Sequence, residues 1–470
     1  MTRHKFGFVV LGLALLCGVA AVLGGCGSSS NMTTQPAFGT VNTGASDPPA
    51  CLAPSGPYSH VFVTVTDVQA STSTDANATS GFVDLTPGLK PTQIDLLGPP
   101  NGVCLLAALG SNVQVPAGTY EQFRVILLAN NQASQVSNNQ CGPSAANCAV
   151  LAANNSVQTL LLSSEAQTGI KIPASQISGG QFTVPANQTV DLVIDFDACA
   201  SIVIQGNGQY RLKPVLHAGE VSATANTIKG AVVDSLTRQA LVGGTVLVAL
   251  EQNKNGIDRV IMETRADVNG NFIFCPVAMG TYDVVAVGIN GAGLAYAATV
   301  ITGVPQGTTM SDLSLVAETS TPSTQASLQG QITTSTSSAG TVADLTVSAL
   351  QPISSTVMAT IPLVQQGSAT ASLTTAAGAS CPPNTDCISY TLGVPAANPF
   401  VGAFGGTTPI QAGGSVAYSV DALAFVPMSG STQDCSPNEL TTNMTTTNTP
   451  LTVTPGNPSN PATLAFTGCQ

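Results

Sequence analysis

Tryptophan is absent from the 470 residues, histidine occurs three times, and Lys and Arg together number twelve against twenty-four Asp and Glu. Each scarcity excludes something. The formal charge of −12 excludes nucleic acid as a partner, because holding a phosphate backbone needs clustered cations. The last basic residue is Arg265, so the final 205 residues carry nine acids and no base. Charged residues make up only 8%, against about 25% in ordinary globular chains, so the polar surface must be built from hydroxyls and amides. No C-x-x-C pair occurs and, past the first 25 residues, only His60 and His217 remain as imidazoles, which removes the usual zinc arrangements. No G-x-S-x-G, H-E-x-x-H or phosphate-binding loop is present. The chain therefore nominates no catalytic residue and no cofactor, and it is expected not to be an enzyme.

What is present begins with an export signal. Arg3 and Lys5 precede a run from Phe6 to Gly25 without a charged residue, the order of an n-region and an h-region. Its length would suffice for a membrane span, but it holds five glycines and ends in small residues. "LGGC" at 23–26 resembles the bacterial lipobox. The resemblance implies that residues 1–25 are removed and that Cys26 becomes the lipidated first residue, since one acyl chain holds a protein only marginally and two or more hold it firmly. Residues 26–36 then read as a flexible, lipidated tether. Gly27 follows the anchor, which in Gram-negative sorting favours the outer membrane, facing the periplasm or the outside. The implied partner is a membrane, reached through an N-terminal lipid.

Twelve cysteines less Cys17 and Cys26 leave ten, an even number in an exported chain, which favours disulfides. Cys141 and Cys148 close a short loop, as do Cys381 and Cys387, and Cys435 with Cys469 would tie down the C-terminus. Cys51, Cys104, Cys199 and Cys275 have no evident partners.

Two-residue alternation recurs and no helical period is sustained over ten residues, so the fold class is all-β. In "HVFVTVTDV" Val61, Val63 and Val65 share a face. In "TVDLVIDFDA" Val190, Leu192, Ile194 and Phe196 point inward while Asp191, Asp195 and Asp197 point outward. "SIVIQGNGQYRLKPVLH" reads as two strands about a Gly206-Asn207-Gly208 turn. Hydroxyl-rich joints near 220–227 and 317–327 mark three β-sandwich blocks at 37–222, 226–317 and 326–470.

The middle block, with "TIKGAVVD", "GGTVLVALE" and "TRADVNGNFIFCPVAMGTYDVVAVG", resembles the carboxypeptidase regulatory-like family of small prealbumin-type sandwiches. Gly230, Asp267, Gly270, Phe272, Gly280, Thr281 and Tyr282 carry the likeness. Read physically, Asn269-Gly270 supplies a tight turn and Phe272 and Tyr282 supply core rings. The third block echoes this order in "SLQGQITT", "ADLTVSALQ" and "CISYTLGVPAANPFVGAFGG", as a diverged and enlarged copy would. The first block resembles domain-of-unknown-function family 4382, found in bacterial lipoproteins, through "VPAGTYEQFRVILL" at 115–128, "SSEAQTGIKIP" at 163–173, "LVIDFDACASI" at 192–202 and "YRLKPVLH" at 210–217.

Asp191, Asp195 and Asp197 are the candidate calcium ligands, three carboxylates on one face of one strand. Same-face positions about 7 Å apart are wide for a single ion, and Arg211 and Lys213 offer ion-pair partners instead. The expected function is a non-enzymatic envelope lipoprotein that presents sandwiches to an unidentified protein or glycan ligand. Carbohydrate binding through the middle block and an envelope hydrolase using His60 or His217 are the alternatives.

Overall fold

The structure is a computed structural model and describes residues 37–46, 58–75, 78, 80–98, 105–162, 165–177, 181–198, 201–204, 209–213, 216–220, 227–241, 245–275, 277, 280–319, 325–336, 344–363, 374–375, 385–406, 408–428, 431–442 and 450–469. Among them strands predominate, and the only helices are the 3-10 turns Asn130–Gln135 and Ala174–Gln176. The expectation of an all-β chain is met.

In the first block, Phe38–Ser46 runs parallel to Thr189–Phe196. Together with Ala107–Pro116 and Leu216–Glu220 they form a four-stranded sheet. A nine-stranded sheet centred on Tyr58–Ser71 packs against it. Val61, Val63 and Val65 face the core with Phe123, Leu192 and Phe196, as their alternation requires. Ile202–Ile204 and Tyr210–Leu212 pair antiparallel, the hairpin read from sequence, although its turn lies outside the described residues.

The middle block opposes two sheets. Ile228–Asp234 lies antiparallel to Asn271–Phe274 and parallel to Leu313–Leu315. Facing it are Ile257–Arg265, Thr245–Lys254, Thr281–Ile289 and Thr299–Pro305, paired in that order. The turn before Asn271 needs its glycine. Gly270 sits at φ +79°, and a Cβ there would lie 2.3 Å from the Val232 carbonyl oxygen. Asp267 Oδ1 fastens the turn by accepting the amides of Asn269 and Asn271, each at 2.8 Å. Phe272 and Tyr282 are buried in the core.

The third block repeats this topology. Ala326–Thr336 lies antiparallel to Thr385–Val394 and parallel to Leu464–Cys469. Opposite run Met358–Ile361, Asp344–Pro352, Ala417–Met428 and Ser431–Thr441. One further detail recurs. Gly230 stands directly across from Phe272, where a Cβ would meet the ring at 3.0 Å. Gly330 stands directly across from Tyr390, where a Cβ would fall 2.3 Å from the hydroxyl. In both sandwiches a glycine in the first strand makes room for a cross-strand ring.

The second and third sandwiches are welded edge to edge. Ile257 and Asp258 pair in parallel with Met358 and Ala359, and Thr299–Pro305 pairs with Phe400–Ala403, so one eleven-stranded sheet crosses the boundary. The middle strands are consequently buried on both faces. Val246, Val248 and Leu250 enter their own sandwich core. Leu247 and Ala249 join Leu328, Tyr418, Val420 and Phe466 in the core of the next. Burying each large side chain of that second core stabilises by about 1.5–3 kcal/mol before the entropy of ordering is subtracted.

Candidate functional site

Cys26 and four of the expected disulfide cysteines, Cys51, Cys104, Cys199 and Cys381, lie outside the described residues. The Cys469 backbone ends the last strand, while its side chain also lies outside them. Cys141 and Cys148 are bonded, with Cα atoms 5.6 Å apart. Cys275, Cys387 and Cys435 are each disulfide-bonded as well.

The three carboxylates differ in surroundings, with Asp191 exposed, Asp197 half-buried and Asp195 buried. Asp191 is exposed and accepts a hydrogen bond from Asn42 Nδ2 at 2.8 Å. Asp195 does not point outward to solvent as the alternation predicted, for its side chain is buried. The reason is position. Its strand is central in the four-stranded sheet, and the neighbouring Ser46 hydroxyl lies 3.3 Å from Asp195 Oδ1 and 3.1 Å from the Cys275 carbonyl of the middle sandwich. Burial, followed by the nearby Asp197 charge, pushes Asp195 well above the carboxylate range. Arg211 belongs to Tyr210–Leu212, a strand of the other sheet that is not hydrogen-bonded to Thr189–Phe196. Among the described residues, no three His, Cys, Asp or Glu side chains are placed to hold a metal ion.

The histidines sit apart. His60 Nδ1 is 2.7 Å from Asp95 Oδ2 and its ring stacks on Phe62. Asp95 Oδ1 is occupied by the amides of Val61 and Leu97. His217 faces Asp195 across paired strands, yet its buried Nδ1 has no hydrogen-bond partner. Burial pushes this imidazole down to about 4. Ser46, Asp195 and His217 thus form a row over three adjacent strands with the carboxylate in the middle. A hydrolytic triad needs the imidazole there, between hydroxyl and carboxylate.

One concavity is not announced by the alternation. A groove of about 830 Å³ opens between Leu313–Leu315, Thr299–Pro305 and the hairpin formed by Phe400–Ala403 and Ile410–Gln411. Ile301, Phe400 and Phe404 give it an apolar wall, and Phe404 is 40% exposed. Arg238 lies at its rim, where Nη2 is 3.0 Å from Asp312 Oδ2 and Nη1 bonds the Ser314 hydroxyl. Both charged partners are about half exposed, so the pair contributes about 0–1 kcal/mol. The groove joins chain segments about a hundred residues apart, which explains why sequence reading missed it. The one available signal was the Phe400/Phe404 spacing in "NPFVGAFGG".

Residues 38–214 match the family described as Domain of unknown function (DUF4382). No curated protein matches the chain. Among solved structures, the shaft pilin SpaA from Lactobacillus rhamnosus GG is 12% identical, covering 60% of this chain and 98% of its own, at a TM-score of 0.18. The Bacillus anthracis TIE protein is 10% identical over 92% of this chain and 50% of its own, at 0.15. A DUF3823 family protein from Bacteroides uniformis ATCC 8492 is 12% identical over 46% and 95%, also at 0.15. The fold is defined by the sheets described above. No helix among the described residues is long and apolar enough to cross a membrane.

Proposed function

We propose that the protein is a non-enzymatic bacterial lipoprotein, held by a lipid on Cys26 at the outer membrane, whose sandwiches serve as a stiff interaction module in the cell envelope. The observation that carries this reading is the weld between the second and third sandwiches. Arg259 on Ile257–Arg265 forks onto Asp421 and Glu439 of the third sandwich, beneath a sheet continuous across both. A chain built to hold a partner at a distance needs such stiffness. Turnover does not call for it. The row of Ser46, Asp195 and His217, in the wrong order for acyl transfer, supports the same reading. The test is radiolabelled palmitate incorporation and membrane fractionation of the full chain beside its Cys26→Ala variant. The wild type is expected to carry label and sediment with outer membranes, and the variant to do neither. A wild-type chain that is label-free and soluble would overturn the anchor.

A second reading takes the groove as a glycan site. Phe400 and Phe404 offer an apolar platform, and Arg238, Asp312 and Ser314 offer hydroxyl-binding groups beside it. Glycan-array binding lost in Phe404→Ala, with melting unchanged, would support this reading, and an array without signal would remove it.

A further inference from the structure

The weld between the second and third sandwiches contains acids with too few partners. Glu251 ends the apolar run of Thr245–Lys254 and its side chain is fully buried. Its Oε2 accepts the Thr360 amide at 3.2 Å, whereas Oε1 has no hydrogen-bond partner. Asp258, on the adjacent strand, is equally buried. Its Oδ1 accepts from Asn253 Nδ2 at 2.7 Å, its Oδ2 meets no N–H or hydroxyl donor while its carboxyl lies within hydrogen-bond reach of the Asp283 carboxyl, and its backbone carbonyl accepts the Thr360 hydroxyl at 2.7 Å. Thr360 belongs to Met358–Ile361, the edge strand that the third sandwich contributes. The Glu251 carboxyl and the Asp258 backbone carbonyl therefore both hold Thr360 of the joining strand, and the Asp258 carboxyl is buried beside that contact.

The surrounding charges do not compensate them. Asp283 stands directly opposite Glu251, with its Oδ1 holding the Gly303 amide at 2.8 Å. Glu263 lies further along the Asp258 strand. Arg259 is committed to Asp421 and Glu439, and Lys254 is exposed at the strand end. The charges acting on Glu251 are Asp258, Asp283 and Glu263, all acidic. An ionised carboxylate in such a place has lost its water and gained repulsion, and a neutral carboxyl avoids both.

We propose that this junction is an acid-favoured latch, closed while the Glu251 and Asp258 carboxyls are protonated and loosened when they ionise. Burial first, then neighbouring acids, holds Glu251 well above the carboxylate range and Asp258 at about 6. The closed form therefore binds protons more tightly than the open form. Opening releases them, so the opening constant rises about tenfold per pH unit for each proton lost, between the ordinary carboxylate range and the raised values. The proposal stands independently of the anchor and of the groove.

Amide hydrogen exchange on the full chain from pH 5 to 8 reads the latch, after correction for intrinsic exchange. Protection over 358–361 is expected to fall about tenfold per pH unit, while 228–234, inside the second sandwich, holds steady. Glu251→Gln with Asp258→Asn is expected to flatten that slope and keep protection at pH 8. Should the double variant not fold, Glu251→Gln alone is expected to reduce the slope. The proposal fails if 358–361 shows no slope, if 228–234 shows the same one, or if the variants keep it. It fails equally if calcium at pH 8 restores protection, because a cation and not a proton would then close the junction.

Discussion

Arg259→Met tests the ion pairs that join the second and third sandwiches. Methionine keeps much of the apolar stem and removes only the charged fork, so the loss reports on the ion pairs. The Arg259 side chain is 22% exposed, and its two acids differ sharply, with Asp421 at 1% and Glu439 at 39%. Burial holds the Asp421 carboxyl above its usual range even with Arg259 beside it. Removing the guanidinium leaves this carboxylate buried without its counter-charge, a change that costs about 3–5 kcal/mol. Glu439→Gln, by contrast, removes a half-solvated partner and should cost about 0–1 kcal/mol. At about 2–4 °C per kcal/mol for a unit of this size, calorimetry at pH 8 should show a drop of about 6–20 °C for Arg259→Met and a few degrees at most for Glu439→Gln. The sign of the pH dependence is also fixed. With Arg259 gone, the folded-state value of Asp421 moves further above its unfolded value, so the variant is destabilised increasingly as pH rises past the ordinary carboxylate range and recovers in acid. Equal melting of the two variants, or a loss for Arg259→Met that does not shrink at pH 4, would refute the reasoning.

Gly330→Ala should cost about 1–3 kcal/mol by forcing the buried Tyr390 ring aside, read as a lower urea midpoint for the fused pair of sandwiches. Replacing both Cys141 and Cys148 with Ala opens a loop whose ends are seven residues apart, and loop-closure entropy sets the loss at about 2–3 kcal/mol, measured by denaturant unfolding of the first block. His217, held at about 4 against 6.5, is neutral when folded, while the unfolded chain takes up the proton first. Stability is therefore complete above about 6.5 and falls as pH drops toward 4, by about 3 kcal/mol. His217→Leu lacks this loss, so its melting should rise relative to wild type as pH falls through that window, and a constant difference would contradict the burial argument.

How much of this was legible differs from strand to strand, for physical reasons. Val61, Val63 and Val65 alternate cleanly because their strand has one core face, and the turn at Gly270 was readable because only glycine tolerates its φ and the closeness of Val232. Other strands misled. "TVLVAL" at 245–250 and "VVAV" at 284–287 are continuous apolar runs, not alternations, and such runs belong to strands covered on both faces. Read for that feature, they announce that the second sandwich must be packed from outside by something, which the third sandwich supplies through Leu328, Val420 and Phe466. Glu251 closes the first of these runs and Asp283 precedes the second. An acid bounding a doubly buried segment marks where the covering neighbour begins. The same blind spot explains Asp195. The period-two rule assigns alternate residues to opposite faces but does not say that the second face is water, and in this chain it often is another sandwich. What sequence could not supply was the pairing of 257–258 with 358–359, since two rungs of parallel ladder leave no local signature. The groove depends on the same kind of long-range pairing, between 299–305 and 400–403. Its chemistry was therefore spread over segments that nothing in either sequence tied together.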